Sequence, residues 1–425
     1  MSSHVARRLS TLLLPFFLVS TALAQVPMSS LNGMVKDPHD AVVAGARVSA
    51  TSESQSISRI TSTNSSGVYS FADLPAGDWN LRIDQPGFAS SEFNHVVLQA
   101  GSNATIDVRL HIAQSGTTVT VEAATAGTLD MTQSMIQGQI TSETIQSIPL
   151  NGRNFLELAH LVPGNRPAPT FDPTKTNTLE VSSAGSFGRG GNITVDGGDN
   201  NDEVVGGTLS NFPEDSVQEF QIATGRFTAE VGRSGNSIVN IVTKSAGNVY
   251  HGSVFLFERN RNLQALPATF DRDLPTPPFD REQTGGSLGG RIKKDRAWWF
   301  SSFEYRDQNA ALLTGARDFA IQTILHTAAP APLRDALWST RFDTQVSARN
   351  NLMGRYSFNR STDTAEATPS ETTPSFTASE RQNSLNRFHS AILGMTTVLS
   401  STKVNQLGKE FSTFTTIRFR IDISS

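Results

Sequence analysis

From residue 246 onward, apolar and polar residues alternate with a period of two. In 338–347 one face reads Trp338, Thr340, Phe342, Thr344 and Val346, and the other Ser339, Arg341, Asp343, Gln345 and Ser347. The next run sets Leu352, Gly354, Tyr356 and Phe358 against Met353, Arg355, Ser357 and Asn359. Run 297–306 sets Trp299, Phe303 and Tyr305 against Ser302, Glu304 and Arg306. This period predicts strands with one apolar and one polar face. Six or seven such strands are expected near 249–258, 283–292, 297–306, 338–347, 351–359, 383–396 and 403–420. Their connections alternate in length. Lys293-Lys294-Asp295-Arg296 and Ala348-Arg349-Asn350-Asn351 read as tight turns, and 307–337 between them reads as a long polar loop.

Short turns at one end and long loops at the other are the rhythm of an outer-membrane β-barrel, with one strand face in lipid and the other in a wet lumen. A soluble antiparallel sheet with one buried face has the same period and stays open as the alternative. Trp298-Trp299-Phe300, just after a tight turn, is expected in an interfacial aromatic girdle. The N-terminus points the same way. His4, Arg7 and Arg8 precede an apolar run ending in Ala22-Leu23-Ala24, so residues 1–24 read as a signal peptide. No other run approaches the ~18 apolar residues of a membrane-spanning helix.

Composition narrows the chemistry. The 425-residue chain has no cysteine, which excludes thiolate catalysis, Cys-based zinc sites and disulfides. A net charge of −4 gives no electrostatic case for nucleic acid as a partner. Gly285-Gly286-Ser287-Leu288-Gly289 matches a nucleophile-elbow pattern but lies in a Gly-rich strand-like run, without the strand-turn-helix the elbow needs. The oxygen-rich run Asp196-Gly197-Gly198-Asp199-Asn200-Asn201-Asp202-Glu203 lacks the spacing of a calcium loop and reads as a turn. No His begins a zinc-protease motif, and no Gly-Lys-Ser/Thr phosphate loop occurs. No enzyme activity, cofactor or metal is expected.

Residues 31–112 show strand signals at spacings near ten residues, separated by Asp37-Pro38, Asn64-Ser65-Ser66-Gly67, Pro75-Ala76-Gly77-Asp78 and Gln85-Pro86-Gly87. That is the pattern of a β-sandwich, with Tyr69, Phe71, Trp79 and Phe88 expected in its core. Gly45-Ala46-x-Val48, Gly67-Val68-Tyr69-x-Phe71, Leu74-Pro75-x-Gly77 and Pro86-Gly87-Phe88 resemble the carboxypeptidase regulatory-like domain, a transthyretin-like sandwich. Further on, helical turns are expected at Ser142–Ile148, before Pro149, and at Phe155–Leu161, before Pro163. Leu150–Phe155, Val195–Asp202, Val217–Phe220, Ala229–Ser234 and Val239–Ser245 follow in an order that resembles the plug of TonB-dependent receptors of the Oar-like group. His251–Asn260 and Gly285–Arg296 resemble that group's first barrel strands.

The expected fold is therefore mainly β. A transthyretin-like β-sandwich (25–112) leads through a linker (113–128) to an α+β plug (129–245) and the first strands of an incomplete outer-membrane barrel (246–425). The resemblance implies an outer-membrane receptor in outer-membrane lipid. It would import an unidentified external solute, with a glycan among the candidates, using energy from a TonB-type inner-membrane complex. Within the linker, Thr118, Val119, Thr120 and Val121 resemble the TonB box, an extended segment a partner can add to its own sheet edge. A last sandwich strand or a plain linker are the other readings of these residues. Arg153, Arg189, Glu219, Glu230 and Arg233 are expected to face wall charges of opposite sign. Barrels of this type have about 22 strands. The strands counted here are too few to close around a plug, so the sequence reads as a truncated copy. If the barrel cannot assemble, the alternative is a soluble periplasmic or surface carbohydrate-binding-like sandwich plus plug without transport.

Overall fold

The structure, a computed structural model, describes residues 28–52, 55, 57–112, 119–122, 136–168, 179–203, 207–227, 232–265, 276, 278–318, 323–347, 349–364, 382–400 and 403–420. The expected signal peptide, Thr118 and Glu230 lie outside them.

The first unit is a sandwich. Its strands are β1 (Ser29–Lys36), β2 (Arg47–Ser52), β3 (Ile57–Ser62), β4 (Val68–Leu74), β5 (Gly77–Asp84), β6 (Ser91–Leu98), β7 (Asn103–Thr105), β8 (Val108–Arg109) and β9 (Val119–Glu122). One sheet has β1 between β4 and the short parallel pieces β7 and β8; the other runs β3-β2-β5-β6-β9. Strand β1 alternates buried and half-buried residues along its whole length, as a strand with one core face must. Tyr69, Phe71 and Trp79 are buried in the core with Leu31, Val48, Leu81 and Ile83, and Phe88 packs at its margin. The polar tips of the two largest rings find acceptors: Tyr69 Oη donates to Ile106 O at 2.7 Å, and Trp79 Nε1 to Pro75 O at 3.0 Å. A single strand over 105–111 is not formed; the chain breaks into β7 and β8, both parallel to β1. Gly33 makes room for this crossing, since a Cβ there would meet Ile106 O at 1.8 Å and the Tyr69 ring at 2.7 Å. Gly33→Ala is expected to destabilise the sandwich by about 1–3 kcal/mol through overpacking; calorimetry of the full chain reads this as a lowered first transition.

The central unit holds β10 (Ile136–Thr141), α1 (Ser142–Ser147), a 3-10 segment Phe155–Leu161, β11 (Asn165–Pro167), β12 (Val181–Ser183), β13 (Asn192–Val195), β14 (Gly198–Asp199), β15 (Val217–Gly225) and β16 (Ile238–Thr243). Both expected helical turns are present. Asn154 starts the second by accepting the Leu156 N–H on its side chain at 3.0 Å. The main sheet is ordered β10-β15-β16-β13-β14. Phe155, Leu158, Phe220, Ile222 and Ile241 fill the core beneath it.

The last unit is a long antiparallel sheet: β17 (His251–Asn260), β18 (Phe279–Lys293), β19 (Ala297–Asp318), β20 (Thr323–Pro330), β21 (Leu333–Ser347), β22 (Asn350–Thr364), β23 (Gln382–Ser400) and β24 (Lys403–Arg420). Its order is β17-β18-β19-β21-β22-β23-β24, with β20 folded back on the far half of β19. Among the described residues the sheet does not close: β17 and β24 each pair on one side only. Only two or three residues separate β18 from β19, β21 from β22 and β23 from β24, all at one end of the sheet. The segment 307–337 is not a loop. Strand β19 continues to Asp318 and returns as β20, because backbone pairing sustains strands even where apolar alternation fades.

Polarity on this sheet is inverted relative to a water-soluble protein. Its buried residues include Ser302, Glu304, Arg306, Ser339, Arg355, Ser357 and Asn359, whereas Val254 is 91% exposed and Phe342 50%. A soluble sheet buries its apolar face; here the apolar face points outward and the polar face lies against the central unit. The aromatic triplet splits across these faces. Trp298 and Phe300 point inward and pack on Ala246, so only Trp299 has the outward parity a girdle needs.

Candidate functional site

The inner face of the long sheet holds the central unit by charge. The turn between β13 and β14 is Asp196-Gly197, both with positive φ (49° and 77°), the two-residue loop that an Asp-Gly pair favours. The turn aims a fully buried Asp196 carboxylate at the wall. It accepts from the Thr243 N–H at 2.8 Å, the Thr243 hydroxyl at 2.7 Å, Arg355 Nη1 at 3.0 Å and Arg341 Nη1 at 3.4 Å. Arg341 is also held by Asp343 through two 2.9 Å bonds and donates to Thr243 O at 2.8 Å. Beside this turn, the Asp199 N–H donates to Glu410 of β24 at 2.7 Å. The oxygen-rich run is thus committed to arginines and backbone. Among the described residues no cluster of acidic or histidine groups is arranged to hold a metal.

A second ionic contact comes from Leu150–Phe155. Arg153, at a positive φ of 51°, donates to Glu304 of β19 at 3.1 Å and to Asp215 at 2.8 Å, and lies 3.3 Å from Glu214. Its guanidinium sits 4.1 Å over the Phe255 ring of β17. Two wall arginines, Arg259 and Arg281, donate to Asn151. Burial, reinforced by the neighbouring Glu304 and Asp215 and opposed by Arg153, pushes the Glu214 carboxyl up to about 7. Beside Arg153 a cavity of about 750 Å³ opens against β17 and β18, lined by Asp215, Lys244, Ser253 and Ser287 among others. Burial lowers the Lys244 ammonium there despite the pull of Asp215 and Glu214.

Of the other charges expected at the wall, Arg233 pairs with Asp199 and Glu203 inside the central unit. Glu219 turns away from the wall. Its carboxylate accepts the Ala100 N–H of the sandwich at 3.1 and 3.3 Å, and Gln221 Nε2 donates back to Ala100 O at 2.7 Å. The sandwich therefore docks on the central sheet. It also approaches the wall at the short-turn end, where Ile57, Arg59 and Pro75 share a cavity of about 90 Å³ with Asp343, Gln345 and Asn351. Burial pushes Glu219 up to about 7, against the lowering effect of its hydrogen bonds. A carboxyl raised in the folded state stabilises most below its unfolded value, and that contribution fades as pH rises through the folded one. Docking is expected to loosen as pH rises from about 4.5 to about 7. The hydrogen-exchange protection factor of the Ala100 amide should fall over that range, and Glu219→Gln should flatten the profile.

A row of serines was invisible in the sequence. Strand register places Ser253, Ser287, Ser302, Ser339, Ser357, Ser390 and Ser412 side by side, one on each strand of the main path. All have the inward parity. Small hydroxyls let the central unit approach closely: Ser253 donates to Asp215 at 2.6 Å, and Ser390 donates at 3.2 Å to Glu410, the wall carboxylate that accepts the Asp199 N–H. Only pairing register could reveal it, since neighbours in the row lie 15 to 37 residues apart in sequence. Of the four residues expected to engage a partner, Val119, Thr120 and Val121 lie in β9, which runs parallel to β6 on the sandwich edge.

An outward apolar face, an inward polar face and an internal unit pinned to the polar face are the arrangement expected of outer-membrane barrel strands around an internal domain. Comparison with known proteins agrees. Residues 30–111 match the carboxypeptidase regulatory-like domain and residues 242–320 an outer membrane beta barrel domain. The chain is 29% identical over 271 residues to the TonB-dependent transporter Oar of Myxococcus xanthus, a match covering 60% of this chain and 24% of Oar. It is thus a homologue of that transporter. The outer membrane transporter YddB from Escherichia coli shares the fold at a TM-score of 0.50 and 13% identity, over 64% of this chain and 38% of YddB. The siderophore receptor PirA from Acinetobacter baumannii is a looser likeness, with a TM-score of 0.41 and 14% identity over 65% of this chain and 43% of PirA. The chain spans less than half the length of each. These relatives are transporters and receptors, not enzymes.

Proposed function

We propose that the chain supplies the sandwich (25–112), linker (113–128), plug (129–245) and wall strands (246–425) of an outer-membrane TonB-dependent transporter, exported by a signal peptide at 1–24. The observation that carries this reading is the inverted polarity of the long sheet, wrapped on a plug held by Asp196 and Arg153. Solute arrives from the long-connection end. A TonB-type inner-membrane complex takes Thr118–Val121 as a strand at the short-turn end and pulls. The ionic pins keep the plug seated until that pull arrives. The solute is of a class still to be identified, with glycans the first candidates because sandwiches of this kind also host carbohydrate binders.

The test is a solute survey. Cells carrying the intact locus, a deletion, and a version with Thr118–Val121 replaced by Gly-Ser-Gly-Ser are grown in complex medium, and solute depletion is followed by mass spectrometry. The proposal expects the same solute to persist in the deletion and the replacement. Equal depletion by all three strains contradicts it.

A further inference from the structure

Two arginines oppose each other on the outer surface of the long sheet. Register pairs Arg360 of β22 with Arg387 of β23, and both side chains are exposed. Directly opposed residues bring their Cβ atoms to within about 4.5–5.5 Å, where like charges repel. Among the described residues neither guanidinium has a carboxylate partner. Asp307, an acid on the same face of β19, is already paired with Arg334 at 3.3 Å.

The height of the pair on the wall says what meets it. Strand β22 starts at the short-turn end with Asn350. Arg360 stands about ten residues further on, and a crossing strand takes about 9–11. Between them the outward residues of β22 are Leu352, Gly354, Tyr356 and Phe358. The arginines therefore stand at the far rim of the apolar band. Directly beneath them lies an aromatic shelf. The Phe358 and His389 rings are 5.0 Å apart, the Trp338 and Tyr356 rings 5.8 Å, and the Tyr356 hydroxyl is 2.8 Å from His389 Nδ1.

We propose that Arg360 and Arg387 hold the phosphate of a phosphorylated outer-leaflet lipid, whose acyl chains lie over Trp338, Tyr356 and Phe358. Guanidinium groups fork onto phosphate oxygens through paired N–H donors. One phosphate between the two replaces their mutual repulsion by a shared attraction. Free phosphate meets the same charges but makes no contact with the shelf, so a lipid is the better occupant. The proposal rests on the membrane placement of this sheet.

The test uses the purified full chain in a neutral detergent, titrated with radiolabelled diphosphoryl lipid A and with the same lipid after removal of its phosphates. The unaltered chain is expected to prefer the phosphorylated form by at least about tenfold, the scale of one charge-assisted hydrogen bond. Arg360→Gln/Arg387→Gln should lose that preference. Lys294→Gln/Lys403→Gln removes the same charge at the short-turn end and should keep it. Millimolar inorganic phosphate should not displace the lipid. Equal binding of both lipid forms to the unaltered chain overturns the proposal without any variant. So does an equal loss in the two double variants, or displacement by inorganic phosphate. A fluorophore at Phe342→Cys, read in vesicles with a lipid-confined quencher, separates the two ways to fail. Quenching without a phosphate preference overturns the lipid site alone. No quenching overturns the membrane placement and the lipid site with it.

Discussion

Asp196→Ala is expected to loosen the plug from the wall by about 3–5 kcal/mol, the range for removing one partner of a buried ion pair. The carboxylate is fully buried and Arg355 is 3% exposed, so water cannot replace the lost charge. Arg341 keeps its bidentate bond to Asp343, so most of the effect falls on Arg355, which forms its ion pair with Asp196. The Thr243 N–H and hydroxyl lose their acceptor as well. Removing both ends should cost far less than removing one, because replacing a buried pair by apolar groups is often near neutral. Asp196→Ala with Arg355→Met is thus expected to recover most of the loss. Urea unfolding of the refolded chain in detergent, followed by hydrogen exchange in β13 and β16, measures the three variants. Equal midpoints for Asp196→Ala and the unaltered chain would remove Asp196 from the account.

The second large effect concerns the outer face. Phe342 is 50% exposed and lies beside Trp299 and Gly354 in register. In a bilayer, Phe342→Lys is expected to cost about 2–4 kcal/mol near the midplane. On a water-facing sheet the same change at a half-exposed position is worth less than about 0.5 kcal/mol. Unfolding midpoints in lipid vesicles therefore separate the two environments. Leu393→Lys, also outward and 56% exposed, should behave alike.

Much of this was legible because period and turn chemistry are local. Alternation in 338–347 and 351–359 assigned each residue to the face it occupies, and Pro149 and Pro163 bounded the two helical turns. What failed to read was non-local. The serine row depends on register across seven strands, which no single run encodes. The strand from 307 to 318 lost its apolar alternation, yet 307–310 stay paired with β18 and 311–318 pair with β20. Arg153 met its wall carboxylate as expected, but Glu219 met a backbone amide of the sandwich, because charge alone does not say which neighbour arrives. Trp298-Trp299-Phe300 read as one aromatic block, although consecutive strand residues point to opposite faces.

The central claim is that the long sheet lies in a membrane with its polar face on the plug. Single cysteines along β21, at Ser339, Thr340, Phe342, Gln345 and Val346, can be labelled with a small fluorophore in native outer-membrane vesicles and challenged with a lipid-confined quencher. The account predicts strong quenching at 340, 342 and 346 and little at 339 and 345. Quenching without alternation, or none at any of the five positions, would contradict it.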